Sequence, residues 1–226
     1  MGEYMSFVRF GHCALRCKWC DTPEGLEHKP QYRIETPARS AKFEFFPNPI
    51  SIEKLNEHLA HFADEFIAVT GGEPLEQADF LAEWFPTVKN KKILLETSGI
   101  LTKQLEKVLP HVFVVSMDFK LPSSTGMKPY WKEHEQFLAT ALSGKNETYV
   151  KMVVTESTTD EDVQISRDLI AAQKTDLPTI VQPVSVTKDF REKITEAKTQ
   201  HFAQILQQQL SDVRVIPQMH KVWGVL

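Results

Sequence analysis

Cys13, Cys17 and Cys20 are the only three cysteines in the chain of 226 residues, and all fall within GHCALRCKWCDTP, residues 11 to 23. The spacing C-x3-C-x2-C lets three thiolates turn inward around one centre. Three cysteines cannot all pair with one another, and a reducing cytosol does not favour disulfides, so the loop points to metal chemistry. Structural zinc is ordinarily closed by four protein ligands, so a zinc reading must recruit His12, His28 or a more distant group. An iron-sulfur cluster held by three thiolates leaves one iron open to an outside ligand. A chemically active cluster needs that opening; a four-cysteine electron carrier does not. Three unrelated structural thiols are the third reading, although a free cysteine ordinarily sits alone as a small apolar residue.

The elements that must position this loop are legible as apolar runs. Residues 5–10, 66–72, 91–99, 111–120, 147–156, 178–185 and 211–220 are short and rich in β-branched or aromatic residues, and they predict strands. Between most of them, residues 51–62, 77–85, 101–109, 132–142, 159–173 and 191–209 carry helical apolar spacing. Strand and helix alternate almost to the end, which implies βα units and a parallel sheet, with too few strands for a closed eight-stranded barrel. The expected fold class is α/β: a partial (open) βα barrel with a curved, mostly parallel sheet.

Ligands of such sheets bind beyond the carboxyl ends of the strands. The runs end in polar motifs there: the cysteine loop, TGGEP (70–74), ETSG (96–99), SMDFK (116–120), QPVS (182–185) and PQMH (217–220).

Composition narrows the class. With 42% hydrophobic residues, residues 1–226 suit a single domain, and the irregular stretch 24–49, with its aromatic run FEFF, predicts a functional loop or a small insertion with its own short structure. A formal net charge of -4 argues against a chain that coats nucleic acid or an anionic membrane. No apolar run reaches the roughly 18 to 20 residues of a membrane span. A cytoplasmic protein with a small-molecule partner is the expectation.

CALRCKWC resembles the cluster signature of radical S-adenosylmethionine (SAM) enzymes, and TGGEP their second signature. Within that superfamily, FVRFGHCALRCKWCDT, TGGEPLEQ, LETSG, SMDFKLPSS, IVQPVS and VRVIPQMH resemble, in order, the motifs of 7-carboxy-7-deazaguanine synthases. The resemblance implies a [4Fe-4S] cluster on Cys13, Cys17 and Cys20, with SAM on the open iron. It further implies SAM contacts from Gly72, Ser116, Asp118 and Gln182, and substrate contacts from Arg9 and Thr70. Glu73 is either the partner of the SAM amino group or a cap. Thr22 is either a ligand of Mg²⁺ or a side chain that holds the turn before Pro23.

The implied reaction converts 6-carboxy-5,6,7,8-tetrahydropterin to 7-carboxy-7-deazaguanine with loss of ammonia, within queuosine biosynthesis. The implied partners are a reductant such as flavodoxin or ferredoxin and a second copy in a homodimer. The family usually begins with a QGEG segment, of which only Gly2 and Glu3 are matched here, so the front contacts are expected from elsewhere or from a start further upstream. Lys120, Lys151, Gln218 and His220 read either as site residues or as strand ends. The competing functions are an activating enzyme that acts on a partner protein and a zinc-bound structural module.

Overall fold

The computed structural model describes residues 4–38 and 40–223, so Gly2 and Glu3 lie outside the described residues, as does the side chain of His220. The chain begins with β1 (Met5–Phe10), then an antiparallel hairpin of β2 (Gln31–Glu35) and β3 (Phe43–Pro47), followed by α1 (Ile52–Leu59). Regular alternation follows: β4 (Phe66–Gly71), α2 (Ala78–Trp84), β5 (Lys92–Thr97), α3 (Thr102–Val108) and β6 (Val114–Asp118). After a short helix α4 (Pro122–Thr125) come α5 (Trp131–Ser143), β7 (Glu147–Val154), α6 (Asp160–Ala171), β8 (Thr179–Pro183), α7 (Glu196–Gln207), β9 (Val213–Val215) and α8 (Met219–Trp223).

Seven strands form one sheet in the order β1-β4-β5-β6-β7-β8-β9, and each of their pairings is parallel. β1 and β9 stand at opposite edges, so the sheet is open, as the partial-barrel reading expects. The segment 24–49 resolves into the β2–β3 hairpin, which rests on α1 through the Tyr32 hydroxyl, 3.3 Å from His58 Nε2.

Alternation within each strand sorts side chains to two faces. One set, including Ile67, Val69, Ile93, Leu95, Val115, Met117, Val150, Met152 and Val181, packs against the helices in a single apolar core with Trp84, Phe137 and Phe202. Truncating one of those buried aromatic side chains costs about 3–5 kcal/mol, so this face fixes the sheet. The other set faces away from the helices and carries the polar residues described below.

Helix starts follow their caps. Ser51, Thr159 and Thr195 each accept a hydrogen bond from the main-chain N–H three residues on, which satisfies one of the orphan donors of the first turn. The Thr195 cap explains one difference from the sequence pattern. The helix expected over 191–209 begins at Glu196, and Phe190 ahead of it is buried beside Trp19 and Val153. The strand expected over 211–220 is only Val213–Val215, and α8 takes up Met219 and the residues after it.

Candidate active site

The cysteine loop leaves the carboxyl end of β1 and is fastened first to the segment after β4. Gly72 N–H donates to the Phe10 carbonyl at 2.8 Å and Glu73 N–H to the His12 carbonyl at 2.9 Å. Ala14 N–H reaches Glu76 Oε1 at 2.7 Å, Gln77 Nε2 donates to the Gly11 carbonyl at 2.9 Å, and Glu76 also holds the His12 ring. These bonds need a bare backbone. Gly71 has φ +122°, in the region that favours glycine, and a Cβ on Gly72 would stand 2.0 Å from the His12 carbonyl oxygen and 2.8 Å from that of Gly25. Gly72 is thus required by the loop itself, whether or not a ligand approaches it.

The loop's far side is tied to distant parts of the chain. Lys18 N–H donates to the Thr125 carbonyl at 2.9 Å, Trp19 Nε1 to Ser124 Oγ at 2.8 Å, and Gln218 Nε2 to Asp21 Oδ2 at 3.1 Å. Cys13 is buried, and Cys17 and Cys20 are half-buried. Burial pushes the Cys13 thiol up to about 11, with the Glu73 and Glu76 carboxylates adding to it. Burial also raises Cys17 and Cys20, in both cases against the Lys120 ammonium, which favours their thiolates.

Three soft sulfur donors in one loop suit iron, whose positive charge would stabilise the thiolates that burial disfavours. Among the described residues no three His, Cys, Asp or Glu side chains gather at the spacing of a single ion's ligands. Three thiol side chains from one loop are the donor set of a cluster that keeps one iron open.

The sheet's polar face lies beside this loop. Register places Arg9 opposite Thr70, Glu96 opposite Ser116, and Ser116 opposite Tyr149. Thr70 Oγ1 donates to Glu96 Oε2 at 2.8 Å and joins the two halves of the row. Two residues further along, Asp118 stands opposite Lys151, and Gln182 stands opposite Val153. Arg9, Thr70, Ser116, Asp118 and Gln182, expected as site residues, therefore share one face. Arg9 is exposed there, its guanidinium 5.4 Å from the Phe7 ring.

Glu73 lies off that row. It is 2% exposed, and its carboxylate accepts from Leu75 N–H at 3.0 Å, Thr97 Oγ1 at 2.8 Å and Ser98 N–H at 2.7 Å. The capping role is filled, while burial still raises the carboxyl above its ordinary range. Thr22 differs from the turn reading. Its side chain makes no capping hydrogen bond and donates instead to Asp21 Oδ1 at 3.2 Å.

Sequence reasoning passed over Tyr149, left Lys120 and Lys151 open, and left Glu96 between a site role and satisfying the turn amides after it. Both lysines are buried or nearly so, not solvated strand ends. Lys120 Nζ lies 2.7 Å from Asp118 Oδ2; Lys151 Nζ lies 3.1 Å from Asp118 Oδ1 and pairs closely with Glu96. Burial works against both ammonium groups, but Asp118 for one and Asp118 with Glu96 for the other hold them above the usual lysine range. Lys151 in turn draws Glu96 down to about 2. The signal was available: in ETYVKMVV the polar residues alternate with Val150 and Met152 of the core.

Comparison with known proteins agrees with this geometry. The profile of the Radical SAM superfamily matches residues 7–170. The chain is 34% identical to a 7-carboxy-7-deazaguanine synthase of Geobacter sulfurreducens, across 100% of this chain and 92% of that protein. It is 31% identical to a protein of the same name from Thermococcus kodakarensis, over 80% and 75% of the two chains. The fold matches the crystal structure of QueE from Escherichia coli with a TM-score of 0.58 and 19% identity, over 94% of this chain and 84% of that one. This chain is therefore a radical SAM enzyme and belongs to the 7-carboxy-7-deazaguanine synthase family.

Proposed function

We propose that residues 1–226 act as one radical SAM domain that converts 6-carboxy-5,6,7,8-tetrahydropterin to 7-carboxy-7-deazaguanine with loss of ammonia. The observation that carries the reading is the placing of the cysteine loop, at the carboxyl end of β1, beside a polar sheet face that offers both a cation and a carboxylate. Cys13, Cys17 and Cys20 hold the [4Fe-4S] cluster. Held there with SAM, the cluster would supply the radical chemistry that removes a hydrogen atom from the substrate.

The chain's own residues bind and orient. Glu73, buried and raised by burial, faces the SAM ammonium, with one oxygen still able to accept after its three hydrogen bonds. Gly72, Ser116 and Gln182 line the cofactor, and Asp118, steadied by two lysines, accepts from the ribose hydroxyls. Arg9 meets the pterin carboxylate with its bidentate fork. Thr70 and the one-third-exposed Glu96 take the ring N–H donors at the other end of the substrate.

The electron comes from a one-electron carrier such as flavodoxin or ferredoxin, and the enzyme works as a cytoplasmic homodimer. Among the described residues no helix is long and apolar enough to cross a membrane.

Anaerobic incubation of reconstituted protein with SAM, a reductant and this pterin is expected to yield a deazapurine, seen by mass spectrometry, with one ammonia per product. Cleavage of SAM without any deazapurine would remove this substrate, and a glycyl radical on an added partner protein would replace the reading with an activating enzyme.

Mg²⁺ completes the proposal. It is a hard ion that prefers oxygen and keeps several waters, so the Thr22 hydroxyl with substrate oxygens and the neighbouring Asp21 carboxylate form a suitable set. Thr22→Ala is expected to keep full iron content while the Mg²⁺ needed for half-maximal turnover rises roughly 10-fold. The turn itself is held by Gly25 N–H on the Thr22 carbonyl at 2.9 Å, which the substitution leaves in place. Identical Mg²⁺ dependence in variant and wild type, with chelator as the zero point, removes Thr22 as a ligand.

A further inference from the structure

Carboxylates crowd the cysteine loop: Glu73 and Glu76 act on Cys13, Asp118 on Cys17, and Asp21 and Glu24 on Cys20. Against them stands Lys120, whose charge reaches both Cys17 and Cys20. The residue is 8% exposed, and its ammonium sits 5.0 Å from the centre of the Trp19 ring, which lies in the chain between those two cysteines.

Both sides of this contact are held rigidly. Trp19 is fixed by Ser124 at 2.8 Å. On the other side, the Lys120 main-chain N–H lies 3.3 Å from Nε2 of His134, a fully buried ring stacked 4.5 Å from Phe119. Burial drives the His134 imidazole down to about 3, so the group behind Lys120 is neutral and adds no competing charge. Asp118 neutralises Lys120 from one side only, and an aromatic face accepts a cation without cancelling its charge.

We propose that Lys120 sets the reduction potential of the cluster on Cys13, Cys17 and Cys20, its fixed charge favouring the state that has gained an electron. Net charge and hydrogen bonding around the sulfurs are what tune such clusters, and in a poorly solvated site a nearby charge is weakly screened. Reduction brings one more negative charge into a loop already flanked by carboxylates. The ammonium offsets that cost and lets an ordinary one-electron carrier deliver the electron. The inference rests on the cluster assignment above.

The test is a redox titration of the reconstituted holoprotein without SAM or pterin, followed by electron paramagnetic resonance of the reduced cluster. Lys120→Met is expected to move the midpoint potential to more negative values, and Lys120→Arg to keep it near wild type. Asp118→Asn, which leaves Lys120 less neutralised and also removes a carboxylate that acts on Cys17, is expected to move it the opposite way. Lys151→Met, whose charge is spent on Glu96 and Asp118, is expected to shift it less than Lys120→Met.

A fully iron-loaded Lys120→Met with the wild-type midpoint overturns the proposal. Should that variant fail to load iron, Lys120→Gln, which keeps a polar group beside Asp118 without the charge, decides, because an unchanged midpoint there overturns it equally. Wild type without a [4Fe-4S] signal would instead remove the cluster assignment on which the proposal stands.

Discussion

Gly72→Ala is expected to cost the protein its cluster rather than only its affinity for SAM. The added methyl would stand 2.0 Å from the His12 carbonyl oxygen, 2.6 Å from its carbon and 2.8 Å from the Gly25 oxygen, and all three are backbone atoms that cannot swing aside. The loop and the end of β4 must therefore separate, which breaks the bonds from Gly72 N–H to Phe10 and from Glu73 N–H to His12. Overpacking against backbone belongs at the upper end of its usual range, about 3 kcal/mol, or more than a hundredfold in the population of the competent loop. Iron per chain after reconstitution, measured without SAM, is the readout. Full iron loading with weakened SAM binding would mean that the glycine serves the cofactor alone. Gly25→Ala is the control, since its methyl would meet Thr22 Cγ2 at 3.4 Å and Gly72 N at 3.7 Å, both ordinary contact distances, and it is expected to load normally.

Cys17→Ala is expected to abolish cluster and SAM cleavage together while leaving the fold intact. Cys17 is half-buried beside the small cluster of Trp19, Val153 and Phe190, away from the main core, so removing its sulfur leaves no large cavity. Thermal unfolding of the cluster-free proteins should agree within a few degrees. The loss is then chemical: two thiolates cannot hold a cube that needs three protein ligands beside its open site. A reconstituted variant that cleaves SAM at the wild-type rate would sink the cluster assignment.

The frame was readable where local pattern and tertiary role coincide. β1 falls on Met5–Phe10, as its apolar run predicts, and the strands at 66–72 and 147–156 lose only a residue or two at their ends. The pattern failed where a distant partner decides. Val213–Val215 pairs only with β8, so its strand stops well short of the apolar run. The helix α7 waits for its Thr195 cap, and Phe190 ahead of it packs beside Trp19.

In the site, the motifs located the cysteine loop and the strand ends. Of the residues within the strands, the motifs named Thr70 and Ser116, left Glu96 and Lys151 undecided and missed Tyr149. Thr70, Glu96, Ser116, Tyr149 and Lys151 all lie inside strands, on the face the helices leave open. A lysine such as Lys151 reads as solvated until the carboxylates across two neighbouring strands are known, because a sequence gives neither register nor curvature.

The ties of the cysteine loop also set a timetable for making the protein. A chain emerging from the ribosome exposes Cys13, Cys17 and Cys20 early, yet Lys18 and Trp19 must wait for Thr125 and Ser124, and Asp21 for Gln218, 197 residues later. Synthesis proceeds at about 5–20 residues per second, and contacts so far apart form only after long stretches of chain have been ordered. The thiols therefore spend translation without the full set of bonds that later fasten their loop, the tie to Gln218 coming last. A loop fastened on every side is offered to iron and sulfide by a finished chain and not by a nascent one.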